Sequence, residues 1–330
     1  MTDRMTNTNT LTASPLVSFI ITTYNLPTDM LAECLRSILS LSLSKEEREL
    51  ILIDDGSDLS PLDDLLDMRD DIIYLRQANR GLSVARNVGI TLATGRYIQF
   101  VDGDDYLIRA PYEHCLDIVR YHDPDIVTFL PSEEAATEVP LQLATPVSGS
   151  TYLHENNLHA AACMYIFRRQ ILMTLRFTPG ILHEDEEFTP QLFLRAEKVY
   201  ATDAKAYFYR QREGSITQNA SPRHKLQRLA DMLRIILHLQ QLAEKLPESE
   251  RVALQRRVAQ LTMDYIYNTM LLTRSSRHVE DAITQLRSHA LFPLPDKAYT
   301  RKYRLFRKMT MTRTGRWLLM QAVTRRKKAC

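Results

Sequence analysis

The 330-residue sequence has few of the features that mark a secreted or membrane-spanning protein. Its four cysteines, Cys34, Cys115, Cys163 and Cys330, are scattered without a C-x-x-C pair, which favours reduced thiols in a cytosolic protein over a disulfide framework. Residues 1–14 are polar and lack the apolar core of a signal peptide. No apolar run approaches the roughly 18–20 residues needed to cross a bilayer. We therefore expect a cytoplasmic protein with a disordered N-terminus over residues 1–14.

Two common nucleotide-binding motifs are also missing. The first apolar run is followed by TTYN (22–25) and not by G-x-G-x-x-G, which disfavours a dehydrogenase-type dinucleotide fold. No G-x-x-x-x-G-K-[ST] segment is present, which disfavours a P-loop. The acidic segment DGDDYL is not an EF-hand loop, because Tyr106 and Leu107 stand at its fifth and sixth positions. The net charge of +2 argues neither for nor against nucleic acid, and we expect no nucleic-acid partner.

What the sequence does contain is an alternation of strand-like and helix-like segments. Runs of β-branched and aromatic residues predict strands at 17–24, 50–53, 72–75, 97–101, 126–130 and 199–210. Helical spacing of apolar residues predicts helices at 28–41, with Thr28 as N-cap, and at 83–93, 112–121, 163–175 and 186–194. Residues 131–160 are expected to be loop-rich, and the pattern is helical throughout 222–290.

This order predicts an α/β fold with a mostly parallel central sheet flanked by helices, followed by a helical C-terminal extension. The predicted divisions are a main domain over 15–220, a helical region over 221–296 and a basic amphipathic tail over 297–330.

Three polar clusters follow three of the predicted strands: TTYN (22–25), DDGSD (54–58) and DGDD (102–105). The carboxyl ends of parallel strands meet at one edge of a sheet, where ligands bind. Two carboxylates about 4 Å apart repel by roughly 1–4 kcal/mol at effective dielectrics of 80 to 20. A hard cation such as Mg²⁺ or Mn²⁺, shared with substrate phosphates, would offset that repulsion. The alternative is an acidic, solvated turn.

Five segments in this order resemble the family 2 glycosyltransferases, which have the GT-A fold. They are VSFIITTYN, ILIDDGSDLS, NRGLSVARNVGI, GRYIQFVDGDDYL and HEDEEF, and together they span roughly residues 15–217. The resemblance implies an inverting, metal-dependent transfer of a sugar from a nucleotide sugar, most often UDP-linked, to a hydroxyl of a glycan or lipid-linked glycan. It also implies a role in cell-surface polysaccharide biosynthesis.

The resemblance also implies roles for individual residues. The residues matched to donor binding are Thr22, Tyr24, Asp54, Asp55, Arg86, Asp102 and Asp104. Tyr24 is expected near the base, one aspartate of the pair 54–55 accepts a hydrogen bond from the base, and Arg86 faces the nucleotide. Asp104 and Asp105 match the carboxylates nearest to a Mn²⁺ or Mg²⁺ ion, and Asp102 matches the turn or the ribose. Which of these carboxylates touches the ion stays open.

Asp185 in HEDEEF matches the general base that takes the proton from the acceptor hydroxyl. Without the family pattern, the sequence does not choose Asp185 over Glu184 or Glu186, and Glu184 beside it would raise its pKa by like-charge repulsion. His183 is assigned no catalytic role. One departure is that YRQREGSIT (209–217) lacks the metal-binding histidine of some members; Arg210 or Arg212 would then neutralise the diphosphate.

The last thirty residues, 301–330, contain eleven Lys/Arg and no Asp/Glu, mixed with aromatic and aliphatic residues. This pattern fits an interfacial helix on an anionic membrane at the inner face of the cell membrane. The alternatives are a basic solvated tail or a helix docked on the enzyme. Two other functions also stay open: a sugar-phosphate nucleotidyltransferase, which would need a Gly-rich loop after the first strand, and an inactive nucleotide-sugar-binding protein.

Overall fold

The computed structural model describes residues 14–134, 138–140, 142–211 and 221–326, with only the backbone at 325 and 326. The chain forms two compact units. The first consists of Met1–Leu143, Cys163–Met173 and Thr202–Arg210, and the second of Ala144–Ala162, Thr174–Ala201 and Gln211–Cys330. These units interleave along the chain, whereas the domains predicted from the sequence are consecutive; those domain boundaries stay a prediction. Residues 1–13, 212–220 and 327–330, which include Arg212 and Cys330, lie outside the described residues.

The helices and strands of the described residues follow one another in this order: β1 (Val17–Thr23), α1 (Thr28–Leu39), β2 (Arg48–Asp54), β3 (Ile72–Arg76), α2 (Leu82–Leu92), β4 (Tyr97–Asp102), β5 (Tyr106–Leu107), α3 (Arg109–His122), β6 (Ile126–Ser132), α4 (Gly149–Glu155), β7 (Tyr165–Arg168), α5 (Glu184–Phe193), β8 (Val199–Phe208), α6 (Pro222–Ala243), α7 (Glu248–Thr273), α8 (Ser276–Ser288), α9 (Arg301–Thr310) and α10 (Arg313–Arg326). Short 3-10 turns occupy Pro61–Asp64, Leu66–Asp71, Ala162–Met164 and Arg169–Leu172.

The strands form one sheet in the order β3-β2-β1-β4-β7-β6-β8-β5. β1 pairs in parallel with β2 and β4, and β2 pairs in parallel with β3. β7 runs antiparallel to both β4 and β6, and β5 runs antiparallel to β8. The α/β fold with a central sheet and a helical C-terminal region is therefore confirmed. The parallel pairs lie at the β3 side of the sheet, and the antiparallel pairs follow from β4 onward.

Two local predictions are wrong. The segment 163–175, expected to be helical, contains β7 between two 3-10 turns, because the four residues Tyr165–Arg168 pair with strands on both sides. Thr28 is the first residue of α1 and not its N-cap, a position that Pro27 occupies. The Thr28 hydroxyl instead donates to Asp64 Oδ2 at 3.1 Å. The remaining predicted strands and helices appear with ends shifted by a few residues.

Helix α2 lies close to β1 in the first unit because it carries a glycine at the contact. A Cβ on Gly89 would stand 2.2 Å from Cγ2 of the fully buried Ile20, far inside van der Waals contact. This glycine belongs to the NRGLSVARNVGI segment, so its place in that pattern has a packing reason. The close approach fixes α2, and with it Arg86, against the centre of the sheet.

The core of the second unit comes from the C-terminal helices. Buried apolar side chains of α6, α7, α8, α9 and α10 pack in one cluster, including Ile236, Leu254, Ile266, Ile283 and Tyr303. Ser148 is the N-cap of α4, and its side chain accepts from Thr151 N. A Cβ at the next residue, Gly149, would stand 1.7 Å from Phe193 O, so only glycine fits where α4 meets the end of α5.

Candidate active site

The strand ends of the first unit come together as the sequence predicts. Thr23 is paired with Asp54 across β1 and β2, and Thr22 is paired with Asp102 across β1 and β4. The three polar clusters therefore lie side by side at the carboxyl ends of three neighbouring parallel strands, which is the usual ligand-binding edge of such a sheet.

Asp54 is the buried support of this edge. Its carboxylate is fully buried and accepts hydrogen bonds from Ser57 N at 2.8 Å and Tyr74 Oη at 2.9 Å. Arg76 Nε stands 3.4 Å away as an ion-pair partner. These contacts fix the turn after β2 and tie it to β3. Gly56 within the turn has a φ of +82° and approaches Asn79 N too closely for any Cβ.

Asp55 holds the loop that leads into α2. It is 5% exposed, and it accepts from Gln77 Nε2 at 2.6 Å, Arg80 N at 3.0 Å and Gly81 N at 2.8 Å. A carboxylate offers about four acceptor sites, so one site remains for a ligand. Both aspartates of the pair thus have architectural partners, which the sequence pattern did not reveal.

Tyr24 and Thr22 lie on the first strand end. The Tyr24 ring is 50% exposed and Thr22 is half-buried. The loop carrying Tyr24 is tied to the loop after β2, since Asn25 N donates to Ser57 Oγ at 2.9 Å and Asn25 Oδ1 accepts from Asp58 N at 2.8 Å. The aromatic ring is therefore presented to solvent on a fixed support, which suits stacking against a planar base.

Arg86 is a buried partner of the DGDD turn (102–105). It is 2% exposed, its Nη2 donates to Asp102 Oδ1 at 3.0 Å, and its guanidinium lies 5.8 Å from the centre of the Phe100 ring. A helix-surface role for this arginine is thereby excluded. The Asp102 side chain is 30% exposed, so it faces solvent while the buried Arg86 guanidinium orients it.

Asp105 is the most buried carboxylate of the turn, at 2% exposed. Burial first, and then the neighbouring charges of Asp102 and Asp104, raise its pKa to about 7, against the lowering effect of a hydrogen bond from Arg210 N at 2.8 Å. Arg210 also donates from Nε to Asp104 O at 2.9 Å and pairs with Glu33 at 2.5 Å. This arginine, at the end of β8, straps the DGDD turn to α1.

The donor chemistry of the DGDD turn fits a hard divalent cation, with an incomplete ligand set. Within the described residues, no group of three or more His, Cys, Asp and Glu is arranged as a metal site. Magnesium and manganese are, however, commonly held by one or two carboxylates with substrate phosphates. Asp102 and Asp104 are half-buried and present carboxylates there, whereas Asp105 is nearly enclosed. Asp104 is the more accessible of the two predicted metal ligands.

Asp185 belongs to the second unit, in the first turn of α5, whose N-terminal residues are four consecutive acids. Its Oδ2 accepts from Ala162 N at 3.3 Å. Glu186 forms an ion pair with the buried Arg257, and Glu187 is bound to His238 Nδ1 at 2.5 Å. The helix N-terminus favours negative charge, and partners from α6 and α7 compensate the last two acids of the run.

Other residues of α6 hold the turn before α5. His183 has a φ of 64°, and its Nε2 accepts from Arg228 Nε at 3.2 Å. Burial lowers the pKa of His183, and the Arg228 charge lowers it further. The imidazole is therefore neutral at pH 7 and serves as a packing and hydrogen-bonding group. Asp231 Oδ2 accepts from Leu182 N at 3.0 Å.

Comparison with known proteins identifies one segment directly. Residues 18–175 match the family described as glycosyl transferase family 2. The sequence is 35% identical over 221 residues to Uncharacterized glycosyltransferase EpsJ of Bacillus subtilis (strain 168), covering 62% of this chain and 63% of EpsJ. It is 25% identical over 212 residues to poly(ribitol-phosphate) beta-N-acetylglucosaminyltransferase TarS of Staphylococcus aureus (strain Mu50 / ATCC 700699), covering 62% of this chain and 37% of TarS. These matches span less than two thirds of either relative.

Solved structures share the fold over nearly the whole chain. The crystal structure of S. aureus TarS aligns with a TM-score of 0.66 and 19% identity, covering 94% of this chain and 55% of that one. A TarS structure in complex with UDP-GlcNAc aligns at 0.56, with 18% identity and coverage of 95% and 91%. The mannosyltransferase PcManGT of Pyrobaculum calidifontis, in complex with GDP-Man and Mn²⁺, aligns at 0.57, with 15% identity and coverage of 94% and 86%.

Proposed function

We propose that this protein is an inverting, metal-dependent glycosyltransferase, a proposal supported by the match of residues 18–175 to glycosyl transferase family 2. It transfers a sugar from a nucleotide sugar to a hydroxyl of a glycan or lipid-linked glycan, in the biosynthesis of a cell-surface polysaccharide. The observation that carries the proposal is the convergence of Thr22, Asp54 and Asp102 at adjacent strand ends, beside an exposed tyrosine ring.

The donor would bind along this edge of the first unit. Tyr24 offers a half-exposed ring for the base, and Asp55 keeps one acceptor site beside it. Asp102, which Arg86 orients, would face the ribose and the diphosphate. A Mn²⁺ or Mg²⁺ ion held by Asp104, with Asp105 as a second candidate ligand, would supply positive charge to the leaving diphosphate. TarS binds UDP-GlcNAc and PcManGT binds GDP-Man, so uridine and guanosine donors are both to be tested.

Asp185 would be the general base. Its carboxylate accepts the proton of the acceptor hydroxyl while that oxygen bonds to the anomeric carbon and the nucleoside diphosphate departs from the opposite face. One bond forms as the other breaks, so the configuration inverts. The support is local: Glu186 and Glu187 are bound by Arg257 and His238, and Asp185 is half-buried, with its Oδ2 accepting from Ala162 N at 3.3 Å.

The test uses two isosteric variants in the same acidic run. A panel of nucleotide sugars, with Mn²⁺, Mg²⁺ or EDTA, is first screened by thermal stabilisation and donor hydrolysis. Asp185→Asn is expected to keep donor-dependent stabilisation and to lose transfer by roughly 10²–10⁴-fold, the usual contribution of a general base. Glu184→Gln is the matched control and is expected to keep transfer within about tenfold.

Three outcomes would count against the proposal. Transfer by Asp185→Asn at a near wild-type rate would refute the base assignment. Stabilisation by a nucleotide sugar and metal, without hydrolysis or transfer to any acceptor, would favour an inactive binding protein. Formation of a nucleotide sugar from a sugar phosphate would favour a nucleotidyltransferase, although the TTYN segment lacks the Gly-rich loop of that class.

A further inference from the structure

The basic C-terminal segment is part of the folded second unit. Helices α9 and α10 cover residues 301–326, and Tyr303, Phe306 and Met320 are 1%, 7% and 8% exposed within the helical core cluster. Docking on the protein, one of the alternatives raised by the sequence, is therefore what the structure has. Removing residues 301–330 would also remove part of this core, so deletion is a poor probe of the segment.

The opposite side of α9 carries an unusual stripe. The buried residues Tyr303, Phe306 and Thr310 share one face. Arg301, Arg304, Leu305 and Lys308 are all exposed and follow the i, i+3, i+4, i+7 spacing of the other face. Leu305 is 62% exposed, so an aliphatic side chain stands in water between cations.

The link between α9 and α10 and the first turns of α10 continue this composition. Trp317, the only tryptophan of the chain, is 54% exposed, and Leu318 and Met311 are 52% and 45% exposed. Tryptophan and leucine side chains exposed among cations are typical of surfaces that lie at a lipid headgroup boundary. We call Arg301, Arg304, Leu305, Lys308, Met311, Trp317 and Leu318 the α9–α10 surface.

The described residues leave Arg301, Arg304 and Lys308 of the α9–α10 surface without an ion-pair partner. Arg316 and Arg313 face Glu280, and Arg307 faces Asp296. Within the described part of the chain, no carboxylate lies at ion-pair distance from Arg301, Arg304 or Lys308, and residues 301–330 contain none. The partner must therefore bring negative charge.

We propose that the α9–α10 surface binds the surface of an anionic lipid bilayer, with Trp317, Leu305 and Leu318 at the headgroup boundary and the cations on the lipid phosphates. Exposed aliphatic side chains favour a bilayer over a nucleic acid, whose phosphates offer them nothing apolar. Among the described helices, none combines the length and the apolar character of a membrane-spanning segment. The membrane contact itself does not depend on the proposed function. Its biological role does, because that role is access to a lipid-linked acceptor.

The first experiment is co-sedimentation of the full chain with two kinds of vesicle. One contains phosphatidylcholine alone, and the other contains phosphatidylcholine with about 30% anionic phosphatidylglycerol. We expect binding to the anionic vesicles only, weakening as salt rises, with a blue shift of Trp317 emission. Because Trp317 is the only tryptophan, this emission reports the α9–α10 surface directly. Equal binding to both vesicle types would overturn the proposal.

Surface variants locate the contact without touching the core. Arg304→Glu with Lys308→Glu is expected to weaken binding by more than tenfold, since each cation near an anionic surface contributes roughly a fivefold factor. Adding Trp317→Ser and Leu318→Ser to that variant is expected to abolish the vesicle binding that remains. Matched controls are Arg223→Glu and Leu226→Ser on α6, both exposed, with Leu226 at 56%. Circular dichroism confirms that each variant is folded.

The outcomes separate this proposal from its competitors. Unchanged vesicle binding in both variants would overturn it. The proposal would also be overturned if the variants kept vesicle binding but lost binding to a DNA duplex, or if they kept vesicle binding but lost self-association. Donor hydrolysis is measured in the same preparations and should stay at the wild-type rate. Vesicle binding without donor hydrolysis or sugar transfer to any acceptor would reject the proposed function alone and leave the α9–α10 surface as assigned.

Discussion

The ion pair between Glu186 and Arg257 is a buried contact beside the proposed general base, and its removal should be costly. Arg257 is 7% exposed in its side chain and Glu186 28%. Arg257 also donates from Nη1 to Leu158 O at 3.0 Å. It thus ties α7 both to the start of α5 and to the loop before Ala162, whose N–H binds Asp185. The perturbation is Glu186→Gln, which keeps the shape and removes the charge.

The magnitude follows from which partner remains buried. Removing one member of a buried pair typically costs about 3–5 kcal/mol, because the other charge is left uncompensated. Water reaches Glu186, and the glutamine oxygen can still accept from Arg257. We therefore expect the free energy of unfolding to fall by about 2–3 kcal/mol, which is at or just below the lower limit for a fully buried pair.

The second unit offers a closely matched control. Arg307 likewise donates to a backbone carbonyl, Leu294 O at 2.9 Å, and pairs with one carboxylate, Asp296 at 3.2 Å. Asp296 is 83% exposed, so Asp296→Asn should cost only about 0–1 kcal/mol, as exposed pairs do.

The assay is urea unfolding followed by Trp317 fluorescence and far-ultraviolet circular dichroism. Trp317 lies in the second unit with both ion pairs, so its transition reports the part of the chain that the variants change. At equal slope, the change in midpoint gives the change in stability. A Glu186→Gln cost no larger than that of Asp296→Asn would refute the argument that burial controls the worth of this pair.

Two further predictions test the packing and the pH response. Gly89→Ala should lower the free energy of unfolding by about 1–2 kcal/mol, because the clash of the new Cβ with Ile20 outweighs the roughly 1 kcal/mol gain in helix propensity; an unchanged Tm would contradict this. The hydrogen bond to Glu187 raises the pKa of His238, so its contribution to stability is full below the ordinary histidine pKa and is lost as pH rises through the raised value. The difference in stability between wild type and His238→Gln should therefore shrink above that range, and a difference as large at pH 9 as below the ordinary histidine pKa would show that the charge of His238 contributes nothing.

The sequence was sufficient to predict the strands whose local apolar pattern agrees with their pairing in the sheet. Alternating apolar runs and helical segments predicted β1, β2 and β4 with their polar ends, and parallel pairing then required those ends to meet. It was insufficient where pairing decides the local state. Four residues, Tyr165–Arg168, are too few to distinguish strand from helix by period, and β7 exists because β4 and β6 flank it.

The tail shows a second limit, since an amphipathic pattern does not reveal which of its faces meets protein. Tyr303 and Phe306 could as well have entered a lipid interface as the helical core that contains them. The sequence predicted an interfacial helix from the same residues that dock α9. Only the docking leaves the remaining face, with Leu305 and Lys308, as a defined surface.

In the acidic run 184–187, tertiary structure distinguishes candidate catalytic residues that the sequence alone does not. The four acids are equivalent by composition, and the family pattern alone selected Asp185. The structure separates them by partners that lie far away in the chain: Arg257 is 71 residues beyond Glu186, and His238 is 51 residues beyond Glu187. A carboxylate tied to a buried arginine or a histidine is held as a structural anion, and a base must keep an oxygen for the incoming proton. Arg257 and His238 therefore argue against Glu186 and Glu187 as the proposed base, and the comparison of Asp185→Asn with Glu184→Gln tests the two remaining acids of the run.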